Sequence, residues 1–402
     1  MILTTPFHPR TESANRTGLW SHWQGYLAAE RYQTSEKAEY WVIRNSAGIF
    51  DTSPLYKYRI RGRDAERFLA GVLARDIRPC APGLAQYTIW CDGDGYVIED
   101  GVVLRLSSDE FILTAARPNL AYFSHLALGL EVEIVDESAA VAGLAIQGPR
   151  SGRILSALAP EVRALPYFGV GKAQIADVPV VVSRTGFTGD LGYELWVGAD
   201  DAVRLWDAVV EAAEGHGVVP VGQQAILMAR IEAGLILIDV DYTSARFAWT
   251  DTDRVTPIEL GLGWMLGDLG DDRPFIGRDA LRRHRDGKTA RWVVTGLVID
   301  WRDWEARHDA AGLIPPKDHR PDHSEHMVYD SEETKVGWVS SMMYSPLLQR
   351  HIALARVRPD LARPGARLRL ETTIDHDYAI VEAEVTKVPF YDPPHKTAEV
   401  TV

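Results

Sequence analysis

Apolar and polar positions along the chain switch repeatedly between two periods. In YKYRIRG (56–62), Tyr56, Tyr58 and Ile60 alternate with Lys57, Arg59 and Arg61, which predicts a half-buried strand. In the following DAERFLAGVLARD, Ala65, Phe68, Leu69, Val72 and Leu73 recur at i, i+3, i+4, i+7 and i+8, one face of a helix with Asp64 placed to cap it. Period two returns in YTIWC, in YVIEDGVVLRL after the turn DGDG, in EFILTAA, and in EVEIVDE after a short helical stretch. A second set follows. PVVVSR and YELWVG read as strands around the turn region TGFTGDLG, and DDAVRLWDAVVEAAEGHG reads as a helix. Its apolar face holds Ala202, Leu205, Trp206, Val209, Val210 and Ala213, and Gly215 stops it.

Two related α+β units, mixed sheets with helices on one face, are therefore expected within residues 1–290, the inner one over 52–137. From residue 291 to 402 short strands with Pro and Gly turns (RWVVTGLVI, VGWVSS, HIALARV, RLRLE, DYAIVEAEVTKV) predict a separate small β-barrel. The stretch 11–50 is rich in aromatics but lacks clean periodicity, so no element is assigned to it.

Composition narrows the classes. Its 402 residues exceed one ordinary core. No apolar run long enough to span a bilayer and no signal-type segment occurs, so no membrane partner and a cytoplasmic location are expected. Cys80 and Cys91 are the only cysteines, which argues against a disulfide framework. The net charge of −13 argues against nucleic acid.

Few motifs suggest chemistry on their own. GFTGDLG is not GxGxxG, and Gly287-Lys288-Thr289 has Arg282 where a phosphate loop needs glycine, so Gly186, Gly189 and Gly192 are read as positive-φ turn residues. DHRPDHSEH (318–326) offers histidines and acids, but its spacing matches no standard zinc site and Pro321 interrupts any helix that would align them, so no metal is expected. Glu99 and Asp100 are consecutive on a strand and must point to opposite faces. Glu194 alternates with Tyr193 and Leu195, and Arg230 lies on a helix, within reach of Glu232 or Glu259.

Taken together, these stretches form a pattern. RTGFTGDLGYELW (184–196) resembles the RTGYTGExGYE signature of the glycine-cleavage T-protein family, tetrahydrofolate-dependent aminomethyltransferases. AGIFDTSPL, GYVIEDGVV, AIQGPRS, PYFGV, ARIEAGL, TPIELGLGW, FIGRDAL and SPLLQRHIALARV follow the family's order from residue 40 to residue 390. The resemblance implies an α+β three-domain cloverleaf, two mixed units around a folate channel plus the C-terminal barrel, with tetrahydrofolate as cofactor. Glu194 then stands where the family's glutamate holds the amino-pyrimidine edge of the pterin. Arg230 stands at a folate-contacting arginine, and Asp100 stands beside the nitrogens that carry the one-carbon unit, as the catalytic residue. Tyr87 is expected to wall the pocket.

This sequence also departs from the family pattern. Phe187 replaces a tyrosine, Thr114 stands at the family's pterin-contacting asparagine, Glu99 replaces the first acid of an Asp-Asp pair, and FDTSPLYKY replaces FDVSHM. A kept folate core with altered surroundings implies a different donor. The expected reaction is demethylation of a small O-, S- or N-methylated molecule, with Trp20, Trp23, Tyr40, Trp41, Tyr56 and Trp90 as candidate walls for it. The alternatives are an aminomethyltransferase of glycine cleavage served by a lipoyl carrier protein, and a folate-binding protein without catalysis.

Overall fold

The computed structural model describes residues 2–270 and 273–400. Two antiparallel-rich sheets, a closed barrel and an N-terminal hairpin make up the strand structure. The first sheet has six strands in the order Val170–Ile175, Val178–Ser183, Gly192–Gly198, Val141–Gln147, Gly48–Asp51 and Val219–Pro220, and only the last pair is parallel. Helix Ala202–Ala212 packs Leu205, Trp206 and Val209 against Tyr193, Leu195 and Val197 on one face of it. Val210 is not part of that buried face but 39% exposed.

The second sheet has five antiparallel strands in the order Ala85–Cys91, Val97–Arg105, Glu110–Ala115, Tyr56–Arg61 and Glu133–Asp136. Helix Ala65–Val72 covers one face through Phe68, Leu69 and Val72, as its periodicity predicts. Asp64 does not cap that helix with its side chain; its carboxylate instead accepts from Glu131 N, joining the helix start to the edge of the sheet. This whole unit is inserted between Gly48–Asp51 and Val141–Gln147, which are ladder neighbours in the first sheet.

Six strands close the C-terminal barrel, in the order Val293–Ile299, Arg350–Val357, Lys335–Ser345, His326–Tyr329, Arg367–Ile374 and Asp377–Thr386. The aromatic-rich N-terminal stretch forms helix His8–Ala14, a hairpin of Trp20–Trp23 with Tyr26–Ala29, and helix Glu36–Asn45. Gln24 and Gly25 both take positive φ at the hairpin tip, as a tight two-residue turn requires.

The parts meet at Glu232, the last residue of helix Gln223–Glu232, whose side chain is fully buried. Its carboxylate accepts from Tyr40 Oη (2.7 Å), Arg44 Nη2 (2.7 Å) and Ser345 Oγ of the barrel (2.5 Å), and its carbonyl accepts from Phe390 N and Tyr391 N. Arg44 also donates to Thr188 O and reaches Asp190, which His395 Nε2 approaches to 2.6 Å. Removing one partner of a buried pair leaves the other charge without compensation, at a cost of roughly 3–5 kcal/mol. Arg44→Ala is therefore expected to lower the urea midpoint far more than Arg10→Ala, whose pairing with Asp207 is solvent-exposed; paired denaturation curves followed by circular dichroism check this.

Candidate active site

Strand alternation assigns the faces. Ile89 lies opposite Asp100, Tyr87 opposite Val102 and Ala85 opposite Leu104, so these six side chains share one face of the five-stranded sheet. On the six-stranded sheet Glu194 lies between Ser183 and Ala145, and Ala145 lies opposite Phe50. Trp196, two residues beyond Glu194, packs with Ala85, Leu104, Ile112 and Val170. The two sheets thus turn the Glu194 face and the Asp100 face toward each other, with Trp196 as the apolar contact between them.

Asp100 is partly exposed, and both of its oxygens are taken. Tyr87 Oη donates to Oδ2 at 2.9 Å, and Tyr242 Oη donates to Oδ1. Burial pushes the Asp100 carboxyl above its usual range, while the two phenols pull it down toward the charged form. Glu99 points the other way, opposite Trp90, and is almost wholly buried. It accepts from Ala116 N (2.5 Å), Arg117 N (2.8 Å) and Asn119 Nδ2 (2.5 Å). Burial still lifts its carboxyl to about 8. The adjacent acids therefore divide as alternation requires, with Glu99 fastening a loop and Asp100 on the face that packs, farther along the strand, against Trp196 of the other sheet.

Glu194 is partly buried, and burial raises its pKa. Thr185 Oγ1 donates to Oε2 at 2.5 Å, and no other donor among the described residues reaches the carboxylate. One oxygen is left open on the inter-sheet face, which fits a ligand edge that presents N–H donors.

Of the three nearby glycines only Gly189 has positive φ (71°), a correction to the turn reading. Gly186 and Gly192 are needed for room: a Cβ on either would lie 1.9 and 2.2 Å from the buried Gln147 amide. That amide donates to Thr185 O (3.1 Å) and Tyr193 O (3.2 Å) and accepts from Thr188 Oγ1, so it holds the turn that carries Thr185 to Glu194.

The remaining sequence-derived residues separate. Thr114 is buried, and its hydroxyl exchanges hydrogen bonds with the backbone of Val102, both at 3.2 Å. Arg230 pairs with neither Glu232 nor Glu259. Its guanidinium is fully buried, donating to Asp241 Oδ2 (2.6 Å), Ser341 Oγ (2.7 Å) and Leu235 O (3.2 Å). Phe187 packs against the cluster of Tyr40, Ile226 and Met343. Among the proposed aromatic walls, Tyr40 and Trp90 are core residues with no exposed surface. Trp23 remains partly exposed and stacks on Phe50 at 6.0 Å, so the hairpin reaches the Glu194 row. In the histidine-rich loop His326 pairs with Asp322, His319 lies near Glu36, and no metal-holding group exists among the described residues.

Sequence reasoning missed Tyr242, Thr185 and Gln147. Thr185 and Gln147 lie inside stretches that the family pattern covers, whereas Tyr242 sits in an irregular segment whose position no periodicity reveals.

Two sheets that each turn a carboxylate onto their shared face form the candidate site, and comparisons with known proteins give the family of the chain that builds it. The GCVT N-terminal domain pattern matches residues 11–267 and the glycine cleavage T-protein C-terminal barrel domain matches residues 310–392. The chain belongs to the glycine cleavage T-protein family. It is 31% identical to an aminomethyltransferase of Geobacillus kaustophilus over 89% of this chain and 91% of that protein. It is 30% identical to the heme-dependent oxidative N-demethylase gamma subunit of Ectopseudomonas mendocina over 93% and 92%. A trimethylamine-oxide aldolase of Ruegeria pomeroyi is 32% identical over 98% of this chain, which spans only 47% of that protein. The crystal structure of aminomethyltransferase T from Bartonella henselae superposes with a TM-score of 0.80 at 22% identity, covering 98% of this chain and 99% of that one. No helix among the described residues is long and apolar enough to cross a membrane.

One buried group carries a pH signature. Lys57 lies opposite Thr114 on the inter-sheet face, and its ammonium donates to Ser53 O at 2.7 Å. Burial lowers its pKa from 10.5 to about 8. The folded state thus releases a proton that the unfolded chain keeps between these values, and stability falls as pH drops from 10.5 through 8. Lys57→Met is expected to be more stable than the parent below pH 8, by roughly 3 kcal/mol. The gain fades toward pH 10.5, which urea midpoints measured across that range would reveal.

Proposed function

We propose that this protein moves a methyl group from a small O-, S- or N-methylated donor to tetrahydrofolate, the donor heteroatom leaving with the electron pair of its broken methyl bond and the acceptor nitrogen giving up its proton once the new bond has formed. The observation that supports it most is the placement of Asp100, fixed by two phenols on a sheet face turned toward the open carboxylate oxygen of Glu194. When bound, tetrahydrofolate supplies a nucleophilic amine as the methyl acceptor. Glu194 would accept from the N–H edge of the pterin and fix its orientation. Asp100 would stabilise positive charge developing on the acceptor nitrogen. At ~4 Å and an effective dielectric near 20, that attraction is about 4 kcal/mol, on the order of a thousandfold in rate. Both oxygens of Asp100 are held before any substrate arrives, so little reorganisation is needed as the charge forms.

The aminomethyltransferase relatives favour a second reading, aminomethyl transfer from a lipoyl carrier protein. Against it stand the net charge of −13, which repels an acidic carrier, and FDTSPLYKY in place of FDVSHM. The deciding experiment incubates the protein with tetrahydrofolate and a panel of methoxyarenes, sulfonium compounds and methylated amines. Mass spectrometry is expected to find 5-methyltetrahydrofolate with one class. Ammonia release from lipoylated carrier protein, without turnover of any panel member, would establish the second reading instead.

Asp100→Asn is expected to keep the tetrahydrofolate Kd within about threefold while turnover falls at least ~100-fold, because the lost interaction acts on charge present only in the transition state. Equal turnover would remove Asp100 from the chemistry. Glu194→Gln is expected to weaken tetrahydrofolate binding by roughly 10- to 100-fold, the loss of a hydrogen bond to a charged group. Isothermal titration of both variants separates the two roles.

A further inference from the structure

Tyr242 is buried at the meeting point of three parts of the molecule. Its hydroxyl donates to Asp100. Its own position is set on both sides in sequence. Asp239 N donates to Tyr242 O (2.7 Å), Asp241 N donates to Leu237 O (2.8 Å), and Ala245 N donates to Val97 O (2.8 Å), on the strand that carries Asp100. The preceding residue, Asp241, is held by four donors: Arg230 Nη1 (2.6 Å) and Leu237 N (2.8 Å) on one oxygen, and Ser340 Oγ (2.6 Å) and Ser341 Oγ (2.9 Å) on the other. Arg356 donates to its carbonyl. Ser340, Ser341 and Arg356 all belong to the barrel.

We propose that Tyr242 is a positioning residue that holds Asp100 in its charged form, and that the C-terminal barrel sets Tyr242 through Asp241; the consequence for catalysis rests on the reading of Asp100 given above. The groups around this pair make the phenols necessary. Tyr87 and Tyr242 are the side-chain donors that face Asp100, from its neighbouring strand and from the irregular segment, and its own backbone N–H adds a smaller pull in the same direction. Asp241 acts on it as a like charge, and Glu99 adjoins it in sequence. Arg230, Arg356 and His323, which lies 3.3 Å from Ser341 Oγ, gather around Asp241 and its serine partners. No cation is among the hydrogen-bond partners of Asp100 in the described residues, so its charge rests on two hydroxyl donors and, to a lesser extent, its own backbone N–H, and one of the hydroxyls is placed by the barrel.

The test needs no folate. Protein labelled with carboxyl-¹³C aspartate is titrated by NMR, with the Asp100 resonance assigned by its absence in Asp100→Asn. Tyr242→Phe is expected to raise the Asp100 midpoint by about one pH unit, a tenfold gain in proton affinity. The double variant Ser340→Ala/Ser341→Ala, which leaves Tyr242 and Asp100 intact, is expected to raise it in the same direction by less. In the working enzyme the acid limb of the kcat profile should move up in parallel while the KM for tetrahydrofolate stays within about twofold, a split that a merely structural role would not give. An unmoved midpoint in a folded Tyr242→Phe overturns the proposal, and an unmoved midpoint in the serine variant overturns the barrel's part in it. Should Tyr242→Phe fail to fold, the serine variant decides. Shifted midpoints with no donor demethylated would leave the coupling standing and defeat the functional reading; turnover with fixed midpoints would do the reverse.

Discussion

A single buried carboxylate, Glu232, fixes how the parts of this protein meet. It accepts from helix Glu36–Asn45 and from the barrel strand Lys335–Ser345, and the backbone carbonyl of the same residue accepts from the C-terminal segment. Burying such an ion pair gains little net stability over apolar packing, but it admits one arrangement, because any other leaves a charge without partners. Two residues earlier on the same helix, Arg230 reaches Ser341 on that same barrel strand and Asp241 beside the site. The helix therefore transmits one geometry in two directions, toward the domain junction and toward Asp100.

The site itself is divided. Glu194 belongs to one sheet and Asp100 to the other, and the contact between the sheets is the apolar patch around Trp196. A ligand that touches both acids must lie between the sheets, so its orientation is set by how the two units dock and not by one loop. This explains the effort spent on the turn before Glu194. Gln147 fills the space that Gly186 and Gly192 leave, and its amide braces the backbone from which Thr185 reaches the carboxylate.

Much of this was legible in the sequence. Period-two runs found the strands that carry Glu194 and Asp100, and alternation alone put Glu99 and Asp100 on opposite faces. The helical periodicity of DAERFLAGVL and of DDAVRLWDAVV located the covering helices, with Val210 the one position whose face was misjudged. Partners that lie outside the periodic elements were not legible. Arg230 could be placed on a helix, yet its partner Asp241 lies on an irregular segment, and Tyr242 follows no period at all. Aromatic content also misled, because burial is a tertiary property: Trp90 and Tyr40 look like Trp23 in a sequence, but only Trp23 keeps an open surface. The glycines of the turn were read by backbone freedom when two of them serve side-chain room.

The insertion of the five-stranded unit has one more consequence. Its two ends leave from Asp51 and return near Val141, on strands that are hydrogen-bonded to each other. The ladder that presents Glu194 is therefore complete whatever length of chain lies between those ends, and doubling an enclosed flexible loop adds only about 0.6 kcal/mol of closure entropy. Glu194 and Asp100 thus sit on segments that can lengthen, shorten or diverge independently, so the face that carries one acid can be kept while the face that carries the other is rebuilt.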